Sequence, residues 1–245
     1  MRNLAAVTDP AESVLLRLSA IVELTEGDRD LLRNAGASTQ RKIAVRRELI
    51  SEGEPVSRPL MILAGWGARI RVLSDGRRQI LSFVLPGDLI GVGRQRGALA
   101  SSTVLALKDM VVAEAPCEQL LPDDSSLPAA YVASSSIDEF YLQSHITRLG
   151  RLTAYERCAD FLLEIGERMS LAGLTEKNSF RMPLTQECLA DALGLTSVHI
   201  NRTLQALRKD GVISACGGRV TLHDPSALAH LVDHRRAPNI RRRAA

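Results

Sequence analysis

The chain has 245 residues and a mass of 26.6 kDa, room for one large domain or two small ones and not for three. Hydrophobic residues make up 45% and charged residues 24%, an ordinary globular composition that excludes disorder along the whole length. Charge is spread unevenly: from residue 172 onward 11 basic residues stand against 6 acidic ones, whereas residues 1–171 hold 20 and 22, so a small basic C-terminal part points to a polyanion partner.

The N-terminal nine residues carry one Arg and no apolar core, so no secretory signal is expected, and no apolar run approaches the roughly 20 residues of a membrane span. A cytoplasmic protein without membrane contact is the expectation. Residues 11–35 show a helical apolar pattern (Val14, Leu15, Leu18, then Leu31, Leu32) interrupted at Gly27 and Asp28, which predicts two short helices. The period then changes to two. Ile43 with Val45, and Ile70 with Val72, have charged neighbours, and Leu60 with Ile62, within the apolar run Leu60–Leu63, is read as a strand in the same way. Residues 80–85, 103–107 and 110–115 read as further strands. Turn chemistry separates them at Gly53-Glu54-Pro55, Ala64-Gly65, Asp75-Gly76 and Pro86-Gly87-Asp88, and the spacing predicts an antiparallel β-roll over about 40–118.

A connector follows from Pro116 to Pro128. From Ala129 the chain is free of Pro and nearly free of Gly, which predicts a long helix to about 154. Leu142, Ile146 and Leu149, extended by Leu152 and Thr153, form one apolar line, and Ile137, Phe140 and Tyr141 form a second. A helix with two apolar faces can pack on its own domain and also pair with a copy of itself. A further helix is expected from Tyr155 to Met169, then a loop over 171–179.

The stretch from Pro183 to Ile213 is the most specific. Thr185 is a plausible N-cap for a short helix from Gln186 to Leu193, Gly194 closes it, and Thr196 opens a second helix to about Lys209. Two helices joined by such a turn form a helix-turn-helix. The motif asks for a small residue within the first helix, Gly at the turn and a buried apolar residue six positions later; Ala190, Gly194 and Ile200 fill these places. Beyond it, Val212-Ile213 and residues 219–222 flank Gly217-Gly218, a hairpin signature and a natural wing. With Ile200 and Leu204 inward, the residues facing out are Ser197, Val198, His199, Asn201 and Arg202. Arg202 can pair with guanine O6/N7 or hold a phosphate, Asn201 can take adenine, and Val198 can meet a thymine methyl. Thr185, Gln186 and Thr196, at the two helix starts, are candidates for the phosphate backbone.

This order of elements resembles the Crp–Fnr family of bacterial transcription regulators, most closely in PLTQECLADALGLTSVHINRTLQALRKDGVI (183–213), and also in LISEGEP, DGRRQILSFVLPGDLIG and ERCADFLLEI. The resemblance spans about residues 15–235. It implies an α+β fold: an N-terminal cyclic-nucleotide-binding-like β-roll (11–125), a long dimerisation helix (126–154), a C-terminal winged helix-turn-helix (155–235) and a basic tail (236–245). It further implies a homodimer on a near-palindromic site in double-stranded DNA and a contact with RNA polymerase. Members that bind cyclic AMP follow the Gly-Asp-x-Ile-Gly segment with Glu and later place Arg before Ser. Here Val92 follows Gly91, and the later stretch reads Ala100-Ser101-Ser102-Thr103, so both charged ligands are missing and cyclic AMP is not the expected effector. Arg94 and Arg96 stand in that loop as exposed cations or ligands for another anion.

The oxygen-sensing branch holds iron–sulfur on an N-terminal cysteine cluster. Cys117, Cys158, Cys188 and Cys216 form none, nor any metal-ligand spacing. Haem would need an axial ligand, for which His145 is the one candidate on the long helix, so the effector stays unknown. Well-known members carry Glu four positions before the Arg that Arg202 matches, and Val198 stands there, so the operator differs from theirs at one or more base pairs. The tail arginines Arg241, Arg242 and Arg243 are expected to act on phosphates without reading sequence. No motif of an enzyme active site is present. The alternative reading is a ligand-sensing module that acts on a partner protein and carries a degenerate DNA-binding domain.

Overall fold

A computed structural model describes residues 9–92 and 97–238. Arg94 and Arg96 of the roll loop, and Arg241, Arg242 and Arg243 of the tail, lie outside the described residues. Among those described, no helix is long and apolar enough to cross a membrane.

Two helices open the fold, α1 (Glu12–Ser19) and α2 (Glu26–Ser38). The interruption expected at Gly27 and Asp28 falls instead at residues 20–25, because Thr25 is the N-cap of α2 and Asp28 sits inside its first turn. Thr25 Oγ1 accepts from Asp28 N (3.1 Å) while Asp28 Oδ2 accepts from Thr25 N (3.1 Å), a reciprocal box that starts the helix. Asp28 is buried and also receives the Ser125 hydroxyl (2.5 Å), the Ser126 hydroxyl (2.6 Å) and the Ser126 amide (3.0 Å). Burial acts to raise its pKa, but the hydrogen bonds from Ser125, Ser126 and Thr25 win and bring it down to about 2. Asp28→Asn is therefore expected to destabilise the protein by about 1–2 kcal/mol at neutral pH. A carboxyl with a depressed pKa gives stability that is present above its unfolded value and lost as pH falls through the folded one. The difference from wild type in urea unfolding should accordingly shrink between about pH 4 and pH 2; a difference that stays constant there contradicts the account.

The roll consists of two four-stranded antiparallel sheets. One has the order β1 (Arg41–Ile43), β8 (Met110–Glu114), β3 (Leu60–Ala64), β6 (Leu89–Ile90). The other runs β2 (Glu48–Ile50), β7 (Thr103–Ala106), β4 (Gly67–Val72), β5 (Arg78–Val84). Ile62, Val84, Ile90, Val104, Met110 and Val112 fill the space between them. Val45 is not in a strand: β1 stops at Ile43, and Arg46 takes a left-handed φ of 65° in the turn before β2, a strand that lacks a clear alternation in sequence. At Pro86-Gly87-Asp88 the glycine is required, since φ is 94° and a Cβ would stand 2.9 Å from the Ser13 carbonyl oxygen of α1. That close approach brings Asp88 into the α1 interface.

After a 3-10 turn at Glu118–Leu120, α3 runs from Leu127 to Arg151 and α4 from Ala154 to Leu171. Leu152 and Thr153 do not extend α3. Leu152 is extended, and Thr153 caps α4 with Glu156 in a second reciprocal box. The two apolar lines of α3 have different fates. Ile137 and Tyr141 are buried against Ile21 of the N-terminal segment and Ala237, with Phe140 packed beside them, whereas Leu142 and Ile146 are 40% and 70% exposed. Ala237, assigned above to a basic tail, is thus a core residue, and the chain returns from the C-terminal part to the body of the fold.

The expected loop after α4 is a hairpin, β9 (Thr175–Glu176) and β10 (Ser179–Arg181), whose two turn residues Lys177 and Asn178 are both left-handed (φ 47° and 61°). Neither is Gly, which hid the turn. With β11 (Ile213–Cys216) and β12 (Arg219–Leu222) these strands form a third sheet, β11-β12-β10-β9, closed by α7 (Pro225–Leu231).

A string of buried charges ties these parts together. Arg17 of α1 pairs with Asp88 and reaches Asp138 of α3 (2.9 Å). Asp88 takes Arg168 of α4 (2.6 Å), Arg168 takes Glu164 (3.2 Å), and Glu164 takes Arg148 of α3 (2.7 Å). Arg148 also holds Asp160 (2.6 Å), whose other oxygen meets His234 Nδ1 (2.6 Å). Burial works against charge on His234, yet Asp160 and Glu167 push its pKa up to about 9, so it is a cation at neutral pH.

Candidate nucleic-acid interface

Helix α5 (Gln186–Leu193) begins at Thr185, whose hydroxyl accepts from Cys188 N (3.1 Å), and α6 (Ser197–Lys209) begins at Thr196, whose hydroxyl accepts from His199 N (3.2 Å). Each cap satisfies one of the unpaired amides at its helix start and leaves others facing solvent. Between the helices Gly194 is left-handed (φ 63°, ψ 40°), and its amide returns to Ala190 O. A side chain there would be strained by the backbone conformation.

Why the two helices cross as they do follows from what they bury. Leu189, Ala190 and Leu193 of α5 and Ile200, Leu204 and Leu207 of α6 enter one core with Phe161, Leu162 and Ile165 of α4 and Ile213, Val220 and Leu222 of the third sheet. The small Ala190 side chain permits the close approach. Arg157 of α4 fastens the junction: its Nη1 donates to Leu193 O (3.1 Å) and its Nε to Leu152 O (2.8 Å), so one guanidinium satisfies the ends of α3 and α5.

With that face buried, the opposite face of α6 is fixed. Thr196, Ser197, Val198, His199 and Arg202 are exposed, Val198 to 62%; Thr185 and Gln186 are exposed at the start of α5; Asn201 is half-buried at the edge. The structure therefore gathers seven of the eight expected residues on open surface and turns Asn201 partly inward. Gln205, exposed one turn beyond Arg202, continues the same face. Its spacing of three from Arg202 was the available signal, and the set expected from sequence omits it. The wing tip is Gly217-Gly218, both left-handed (φ 58° and 74°) as a two-residue hairpin turn requires.

Elsewhere the candidate ligands have ordinary surroundings. His145 is half-buried beside Arg148 (Nδ1 to Nη1 3.3 Å) and the Ile80 backbone; burial and the Arg148 charge lower its pKa, and a cation against the ring does not fit an axial-ligand role. The four cysteines are unpaired with one another, and burial pushes Cys158 up to about 12. At the place where a cyclic nucleotide would be held, Val92 is packed in the core with α1 and α3, and Ala100 is buried. The guanidinium that reaches Ser101 O belongs to Arg71 (3.2 Å), which is more than half exposed and lies 3.6 Å from Glu52. The described residues there do not fit that ligand.

Residues 156–231 match the family model of a Crp-like helix-turn-helix domain, and residues 40–122 match that of a cyclic nucleotide-binding domain. The chain is 30% identical over 199 residues to the nitrogen fixation regulation protein FixK of Azorhizobium caulinodans, covering 80% of each sequence. It is 27% identical over 216 residues to the fumarate and nitrate reduction regulatory protein of Escherichia coli, covering 87% of this chain and 86% of that one. Among solved structures, FixK2 from Bradyrhizobium japonicum superposes with a TM-score of 0.69 at 28% identity, over 81% of this chain and 98% of that chain.

Proposed function

The chain belongs to the Crp–Fnr family of transcription regulators, and from that premise we propose that it binds a near-palindromic DNA site as a homodimer, with α6 as the reading helix. The observation that carries this reading is the exposed set Ser197, Val198, His199 and Arg202 on the first turns of α6, beside the free amides at the starts of α5 and α6. In the major groove Arg202 donates to guanine or to a phosphate, Ser197 and His199 hydrogen-bond to base edges or backbone, and Val198 meets a thymine methyl. Thr185, Gln186 and Thr196 hold the phosphate backbone, and Asn201 acts from the edge of the face. Residues 11–125 form the sensory part, α3 within 126–154 is the pairing helix, and 155–235 form the DNA-binding part. RNA polymerase is the second macromolecular partner that this reading entails. The effector is not cyclic AMP, since the residues that would hold its ribose and phosphate are apolar or uncharged.

Pairing runs along the exposed line of α3. Val132, Leu142 and Ile146 are all at least 40% exposed, and Leu149 continues their spacing. Positions 142, 146 and 149 alternate four and three as a two-helix seam does. Ile146→Glu is expected to weaken self-association at least tenfold in sedimentation equilibrium, while the protomer stays folded. An unchanged dimer would move the interface elsewhere.

The test of the DNA-reading function is selection of bound fragments from a random duplex pool, with protein purified without added ligand, at about 0.15 M salt. Recovery of a two-fold-symmetric motif is expected. Recovery of none, both alone and with cell extract added, overturns it.

A further inference from the structure

We propose that Arg78 and Asp191 are positioning residues for DNA recognition, a latch by which the tip of the β4–β5 hairpin sets the place of the reading helix. This rests on the assignment of α6 as that helix.

Arg78 opens β5 and Asp191 lies on α5, 113 positions away. Arg78 Nε and Nη2 both donate to Asp191 Oδ2, at 2.9 and 2.5 Å. The neighbouring Gln79 donates its Nε2 to Ala192 O at 3.2 Å. That carbonyl is among the last four of α5, which have no partner within the helix. So the roll supplies both a charge for the flank of α5 and a cap for its end. Beneath the latch the contact is apolar: Ile70 and Ile80 of the roll belong to the same buried cluster as Leu189 and Leu193 of α5. The pair is a polar rim on a packed seam, with side chains 28% and 24% exposed.

The seam joins two parts that match separate family models, residues 40–122 and residues 156–231. The covalent route between them is long, through α3 and the bend at Leu152. The latch is a second, direct route. A displacement of β5 moves α5, and α6 follows because the two share one core through Leu189, Ile200 and Leu204. In a dimer each head is then held against its own roll, which sets the distance between the two reading helices. Two half-sites one helical turn apart, roughly 34 Å, are bound together only if that distance is kept. A single half-site has no such demand.

This difference supplies the test. Full-length wild type, Arg78→Asp, Asp191→Arg and the double exchange are titrated against two duplexes at matched salt: the selected symmetric site, and the same duplex with one half scrambled. Arg78→Gln, which removes the charge without repulsion, guards against a folding defect, and thermal melts accompany each variant. Each single exchange is expected to weaken binding to the symmetric site roughly five- to twentyfold, with the half-site affinity and the salt slope unchanged. The double exchange should return to within about twofold of wild type. Single variants that hold the symmetric site like wild type overturn the latch. So does a loss in Arg78→Asp that the double exchange does not recover and that comes with a shallower salt slope, because Arg78 would then be a phosphate contact. If wild type itself binds neither duplex selectively, the reading of α6 fails and the latch with it.

Discussion

Arg148→Met is expected to destabilise the protein by about 3–5 kcal/mol, the cost of leaving buried charges without their partner. Arg148 is 2% exposed on the inner face of α3. Its Nε and Nη2 hold Asp160 and Glu164 at 2.6 and 2.7 Å, and its guanidinium lies 5.8 Å from the centroid of the Phe161 ring. Both carboxylates are themselves buried. Methionine fills much of the volume and removes the charge, so packing is not the main loss. Glu164 keeps Arg168 and Asp160 keeps His234, which limits the damage but leaves each acid short of a donor. Arg148→Lys keeps the charge, but a single ammonium does not reproduce the fork that spans two acids, and an intermediate loss is expected. Urea unfolding at neutral pH measures both. A loss under about 1 kcal/mol for Arg148→Met would show that water reaches these carboxylates and that the string carries little energy.

The second large effect concerns DNA. Arg202→Ala should cost about 1–3 kcal/mol per half-site and, with two half-sites in a dimer, lower operator affinity by one to several orders of magnitude. Arg202 is exposed on α6, one turn after Val198, where a recognition helix enters the groove. If it pairs with a guanine, the loss is confined to sequences that carry that base and discrimination at one position relaxes. If it holds a phosphate, affinity falls evenly over all sequences and the salt slope drops by about one. Titration against the selected site and against single-base variants separates the two. Equal affinity of variant and wild type for the selected site at matched salt removes Arg202 from the interface.

The helix-turn-helix was legible because its determinants are local. A cap, a small residue, a turn glycine and a buried apolar residue lie within 16 positions, and each has one physical task that few residue types perform. The wing was legible for the same reason, from Gly217-Gly218 between alternating residues, and the roll from period-two runs separated by glycine turns. Where the local signal was absent the reading failed. Lys177 and Asn178 adopt a glycine-like conformation without being glycine, and Asp28 resembled a helix breaker until its place in a capping box was visible.

Other features belong to the tertiary structure alone. Nothing local in the sequence marks Arg17, Arg148 and Arg168 as buried; in the fold they are, because acids from α3, α4 and the β5–β6 turn converge on them. Nothing in the sequence links Arg78 to Asp191. The two apolar lines of α3 were visible in advance, but which one is covered depends on Ile21 and Ala237 arriving from opposite ends of the chain. The sequence by itself determined the helix-turn-helix, the wing, most strands of the roll and most of the free face of α6, since backbone preference and hydrophobic period act over a few residues. How α5 and α6 are held against the roll was decided only by the tertiary structure, because ion pairs and packing between distant segments have no periodic or local signature.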